Sequence, residues 1–167
     1  QDLFGIQVRP LDLRCWHPDA QAFAIDDADG QQRAWFFIDL YARDKKRGGA
    51  WMDDACGKLD APERQLPIAT LTCNFRPPQG DAPALLTHDE VVTLFHEFGH
   101  GLHHMLTEVS TLGVGGISGV PWDAVELPSQ FLENWCWEEQ ALEKFARHID
   151  SDEALPKQLL EQLRLSR

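Results

Sequence analysis

The sequence contains no apolar run near the length needed to span a bilayer, and its first residues lack the pattern of a secretory leader. Basic residues are few: 15 Lys and Arg stand against 27 Asp and Glu, a net charge of −12. That balance argues against nucleic acid or an anionic membrane as a partner, because both are bound through clustered cations. The four cysteines, Cys15, Cys56, Cys73 and Cys136, include no Cys-x-x-Cys pair. They read as reduced thiols of a cytoplasmic protein, without zinc-site spacing or the surroundings of a nucleophile. Gly113, Gly115, Gly116 and Gly119 crowd one segment. The phosphate-loop pattern around them is absent, so nucleotide binding drops out and a mobile loop bordering a cleft is expected. Asp26, Asp27, Asp29 and Gly30 lack the downstream ligands of a calcium loop and read as a hairpin turn. Tyrosine occurs once, at Tyr41.

What is present centres on His96-Glu97-Phe98-Gly99-His100. On a helix, residues four apart share a face, so two imidazoles can converge on one metal ion. Glu97, about 100° round the helix, can reach a water at that ion without taking a coordination position. The flanks predict the helix. Thr87 and Glu90 form a capping box, with Leu86 and Val91 placed for a hydrophobic staple, so the helix runs from His88 to about Leu106. Val91, Phe95, Phe98, Leu102 and Met105 form its core-facing stripe. Gly99 and Gly101 each weaken a helix by up to about 1 kcal/mol. Close approach of another backbone or a ligand, or a bulky neighbour, would account for them.

His103 is seven residues from His96, about 10 Å of helix, whereas Zn–N bonds are about 2.1 Å. It is therefore a candidate for supporting a ligand or touching substrate rather than for ligation, and His104 reads as a surface residue. The third ligand is expected in the segment Trp122 to Trp135. There Glu126, Gln130, Glu133 and Trp137 share one helical face, and Val125, Leu132, Trp135 and Leu142 another, provided Pro128 lies in the first turn or kinks the helix. One of Glu126 and Glu133 would ligate and the other accept an imidazole N–H. Spacing leaves the choice open.

Two motifs carry a resemblance. Phe95-His-Glu-Phe-Gly-His-Gly-Leu-His103 and Asp123-Ala-Val-Glu-Leu-Pro-Ser-Gln-Phe-Leu-Glu-Asn-Trp135 resemble the thimet oligopeptidase family of zinc endopeptidases. The stretch Gly116 to Gln130, with Trp135-Cys-Trp137 after it, looks most like that family's bacterial oligopeptidases, and the likeness runs from Phe36-Phe-Ile-Asp-Leu-Tyr-Ala-Arg43 onward. The resemblance implies that Glu126 is the third zinc ligand, with Glu133 as the carboxylate supporting a ligand. Family members are several times longer and carry a downstream histidine and tyrosines that polarise the scissile carbonyl. No residue here takes the tyrosine role, since Tyr41 lies in the N-terminal β region. Starting at Gln1 and ending within the amphipathic stretch Leu155 to Leu165, the chain is expected to be a catalytic-domain fragment.

The rest of the pattern places strands over Leu3 to Leu13, Ala22 to Asp26, Ala34 to Leu40 and Leu66 to Phe75, with a helical piece near Trp51 to Cys56. The expected fold is α+β and zincin-like: a mainly helical catalytic core with a small antiparallel β-sheet in its N-terminal part. Residues 1–80 form the β-rich part, 87–106 the metal helix, and 121–167 a helical part holding the third ligand. The expected function is zinc-dependent hydrolysis of internal bonds in short peptides, with one Zn2+ per chain on His96, His100 and Glu126, and Glu97 as general base. The alternatives are a dipeptidyl carboxypeptidase of the same family or a zinc-binding fragment inactive alone. Oligomeric state is left open.

Overall fold

The structure is a computed structural model and describes residues 3–166. Five strands, β1 (Gln7–Leu11), β2 (Gln21–Asp26), β3 (Gln32–Tyr41), β4 (Trp51–Cys56) and β5 (Ile68–Phe75), form one sheet in the order β1-β2-β3-β5-β4. The β2–β3 turn is the acidic cluster anticipated as a hairpin. Asp27 Oδ1 accepts from the backbone N–H of Asp29 and Gln31, and Gly30 takes a φ of +78°.

Two expectations about the sheet are corrected. The sheet is mixed, because β3 and β5 run parallel while every other neighbouring pair is antiparallel. Parallel neighbours need a crossover connection, and residues 42–67 supply it. The second correction lies inside that crossover. Trp51–Cys56 is the edge strand β4 on β5, not a helical piece. The strand period puts residues two apart on one face, and Trp51 Nε1 accordingly donates to Asp53 Oδ2 at 2.8 Å.

The end of β3 is tied by a buried ion cluster. Asp39 accepts from Arg43 at 2.6 and 2.7 Å, from Lys46 Nζ at 2.8 Å and from Trp16 Nε1 at 2.9 Å. Burial opposes the charge on Asp39, but hydrogen bonds from Arg43, Lys46 and Trp16 outweigh it and hold the carboxyl well below the usual range.

All helices follow the sheet: α1 (His88–Met105), α2 (Leu127–Glu133), α3 (Glu139–Phe145) and α4 (Lys157–Leu165). The capping box at the start of α1 is formed. Thr87 Oγ1 accepts from Glu90 N–H at 3.2 Å, and Thr87 N–H donates to Glu90 Oε2 at 2.8 Å. The stripe of α1 faces the sheet. Leu102 and Met105 are buried with Ile25, Phe36, Leu71 and Leu132, and Phe95 and Phe98 pack against that cluster. Beside it an apolar cavity of about 610 Å³ opens between sheet and helices, lined among others by Phe23, Phe36, Phe98 and Trp135.

The two helix glycines have different reasons. A Cβ on Gly99 would lie 2.6 Å from Ser129 Cα and 2.7 Å from Pro128 O, so α1 and α2 touch backbone to backbone there. A Cβ on Gly101 would meet only side chains, Leu71 Cδ2 at 3.3 Å and Met105 Cε at 3.4 Å. The helix anticipated from Glu126 to Trp137 is broken. Pro128 lies in the first turn of α2, as its missing N–H requires, but α2 ends at Glu133 and a 3₁₀ turn, Asn134–Trp137, follows.

His104 is also corrected: it is 1% exposed, not a surface residue. Its Nε2 lies 2.8 Å from the carbonyl oxygen of Cys56, and the buried Gly116 folds over its ring. A Cβ on Gly116, whose φ is +64°, would come within 2.5 Å of His104 Nδ1. The glycine-rich segment is strapped down elsewhere too. Gly116 N–H donates to Thr107 Oγ1 at 3.1 Å, and Ser118 Oγ donates to Asp54 at 2.9 Å. Glycine there serves close packing, so replacing Gly115 or Gly116 tests packing before it tests any motion.

Candidate metal centre

α1 brings His96 and His100 one turn apart, with ring centroids 4.9 Å from each other and planes at 84°. Glu126 stands immediately before α2, whose close seat on Gly99 draws it over these rings. Its Oε2 lies 3.1 Å from His96 Nε2 and 3.1 Å from His100 Nε2. One donor atom from each residue falls within 4.8 Å of the others. Among the described residues, this is the group of His, Cys, Asp and Glu side chains with that convergence.

Neighbouring groups bear directly on the donors. His96 Nδ1 lies 2.6 Å from Glu133 Oε1. An ionised carboxylate only accepts, so Nδ1 is the donor of that pair, which in the neutral ring leaves Nε2 as the nitrogen that can ligate. Burial pushes the His100 pKa down, favouring the neutral ring. For Glu126 burial acts the other way, but the Ser129 hydroxyl and the two imidazoles outweigh it and keep the carboxyl below its ordinary range. Neutral imidazoles and an ionised carboxylate are the forms that bind metal. The donor set fits a divalent ion of the zinc type, which accepts imidazole nitrogen and carboxylate oxygen in a four-coordinate site.

Glu97 is buried beside this group. Burial raises its pKa; His96 opposes the rise and Glu126 adds to it. Such a carboxyl exchanges a proton closer to neutral pH than a solvated one. His103 does not join the donor group. It is half-buried, its Nδ1 has no hydrogen-bond partner among the described residues, and it lines a small cavity with Gly99, Pro128 and Phe131.

Sequence reasoning missed Ser129. Its side chain is fully buried, and its Oγ lies 2.9 Å from Glu126 Oε2 and 2.9 Å from the Glu126 carbonyl. The available signal was the i,i+3 spacing of Glu126 and Ser129 in a first helical turn. The thiols of Cys73 and Cys136 are pushed up to about 12, chiefly by burial, which keeps them protonated and unreactive.

Known proteins are similar to this chain in sequence. Residues 1–167 match the model of peptidase family M3. Oligopeptidase A of Escherichia coli (strain K12) is 56% identical over 164 residues, covering 96% of this chain and 24% of that protein. Oligopeptidase A of Haemophilus influenzae is 59% identical over 151 residues, covering 89% of this chain and 22% of that protein. A dipeptidyl carboxypeptidase of Salmonella typhimurium is 41% identical over 163 residues, 97% of this chain and 24% of that protein. The chain spans about a quarter of the length of these curated relatives. With residues 1–167 all matched by the family model, the chain belongs to peptidase family M3, a family of metal-dependent peptidases.

Proposed function

We propose that this chain is the zincin-like, metal-binding core of a zinc-dependent oligopeptidase that hydrolyses internal bonds of short peptides. The observation that carries the reading is the convergence of His96 Nε2, His100 Nε2 and Glu126 Oε2 within 4.8 Å, with the buried Glu97 one residue from His96. One Zn2+ per chain, held by those three residues, supplies Lewis acidity, lowering the pKa of a water towards about 7 and polarising a carbonyl. Glu97 takes the proton of the attacking water and delivers it to the leaving amine nitrogen. Glu133 holds His96 in the ligating tautomer.

Activity is assigned to the complete protein, because the relatives are about four times longer than this chain. Tyr41 lies at the end of β3, so carbonyl-polarising groups are expected from outside these residues. Short peptides are the partners, and a cytoplasmic location suits the buried, protonated thiols.

The likeness to a dipeptidyl carboxypeptidase at 41% identity sustains a second reading, release of two residues from the C-terminus. The test is product analysis with the complete protein on a peptide whose C-terminus is amidated. Internal cleavage of that peptide is expected. Cleavage only of the free-acid peptide, two residues from its end, would replace the endopeptidase reading with the second one.

A further inference from the structure

We propose that Ser129 is a positioning residue for the metal centre, acting through Glu126; this rests on the zinc-site reading above. The Glu126 side chain is 49% exposed, so water alone would leave its carboxylate free among several rotamers. Ser129 removes that freedom. Its hydroxyl reaches Oε2, the same oxygen that lies 3.1 Å from both imidazole nitrogens, and not the other carboxylate oxygen. The hydroxyl oxygen also lies 2.9 Å from the Glu126 carbonyl, so its single proton is shared between two acceptors of the same residue.

Ser129 is itself fixed from behind. It is fully buried, and its Cα sits where Gly99 lacks a side chain, between the two metal-binding histidines in sequence. Gly99 admits α2, α2 carries Ser129, and Ser129 aims Glu126. A ligand pre-aimed in this way loses less conformational freedom when the metal binds.

A helix-starting role alone would leave zinc affinity untouched once the helix forms, so the test is a cycle of substitutions. Zinc affinity of the complete protein is measured by competition with a chromophoric chelator, for the unsubstituted form, Ser129→Ala, Glu126→Ala and the double variant. Ser129→Ala is expected to weaken zinc binding by about 10- to 100-fold. In the Glu126→Ala background the same change is expected to matter by less than about twofold. If Ser129→Ala does not fold, judged by far-UV circular dichroism of the metal-free protein, Ser129→Gly takes its place. It removes the hydroxyl without adding a group that binds zinc, and the same loss is expected. An unchanged affinity, or an equal loss in both backgrounds, overturns the inference while leaving the metal site standing. Absence of zinc binding by the unsubstituted protein overturns both.

Discussion

His96 Nδ1 and Glu133 Oε1 lie 2.6 Å apart, and the other nitrogen of the same ring faces Glu126 Oε2 at 3.1 Å. The two carboxylates that spacing could not tell apart thus flank one imidazole on opposite sides. Glu133→Ala is expected to leave zinc bound but with affinity lowered by about 10- to 100-fold, since the ring loses the partner that fixes its tautomer. Chelator competition on the metal-free protein measures this. An affinity loss as large as that of Glu126→Ala would reverse the assignment of the two glutamates.

Glu97→Gln removes the proton acceptor and keeps the shape. Zinc content is expected to stay at the unsubstituted level while turnover of a short peptide by the complete protein falls by at least about a hundredfold. Steady-state turnover, with metal analysis of the same samples, reads both quantities. Turnover near the unsubstituted rate would remove Glu97 from the chemistry.

Which parts of this were legible in the sequence depends on how local the physics is. The start of α1 is set by Thr87 and Glu90, three residues apart, and the capping box formed as read. The apolar stripe of α1 was readable for the same reason. β4 was not: Trp51–Cys56 has three exposed polar and small residues, Asp53, Asp54 and Ala55, at its centre, and only pairing with β5 makes it a strand. The parallel β3–β5 pair depends on a crossover that no single segment encodes. His104 was misread because its burial comes from Gly116 and Cys56, 12 and 48 residues away in sequence. At the site, the two histidines and Glu97 were visible as one helical turn. The assignment of Glu126 came from a family resemblance, because Glu126 and Glu133 bound the same short helix α2 at i,i+7 and spacing alone does not say which of them meets both rings.

Gly99 and Gly101 are predicted to respond differently to alanine. At Gly99 the new Cβ meets backbone at 2.6 and 2.7 Å, so α2 must shift, at a cost of about 1–3 kcal/mol, and Glu126 moves with it. At Gly101 it meets the ends of Leu71 and Met105 at 3.3 and 3.4 Å, and the helix gains about 1 kcal/mol of propensity against that squeeze. Chemical denaturation and zinc affinity together check this: Gly99→Ala loses both, and Gly101→Ala retains zinc. Retention of full zinc affinity by Gly99→Ala would contradict the packing account of the site.

Asp39→Asn is expected to destabilise the fold by about 3 kcal/mol at pH 7, because the buried Lys46 and its neighbour Arg43 lose their shared carboxylate. The Asp39 carboxyl titrates lower in the folded chain than in the unfolded one. Its stabilisation is therefore fully present above an unfolded pKa of about 3.9 and is lost as pH falls through the folded value. Urea unfolding at pH 7, 5 and 3 should show a constant gap between the two proteins at the first two and a narrower one at the third. A gap that widens at pH 3 would contradict the ion-cluster account.

The most direct test of the central claim is the zinc content of this chain by elemental analysis, after equilibration with zinc and removal of the free ion, beside Glu126→Ala and Glu133→Ala. The account predicts about one zinc per chain, lost with Glu126→Ala and retained with Glu133→Ala. Zinc retained by Glu126→Ala, or absent from the unsubstituted chain, would contradict it.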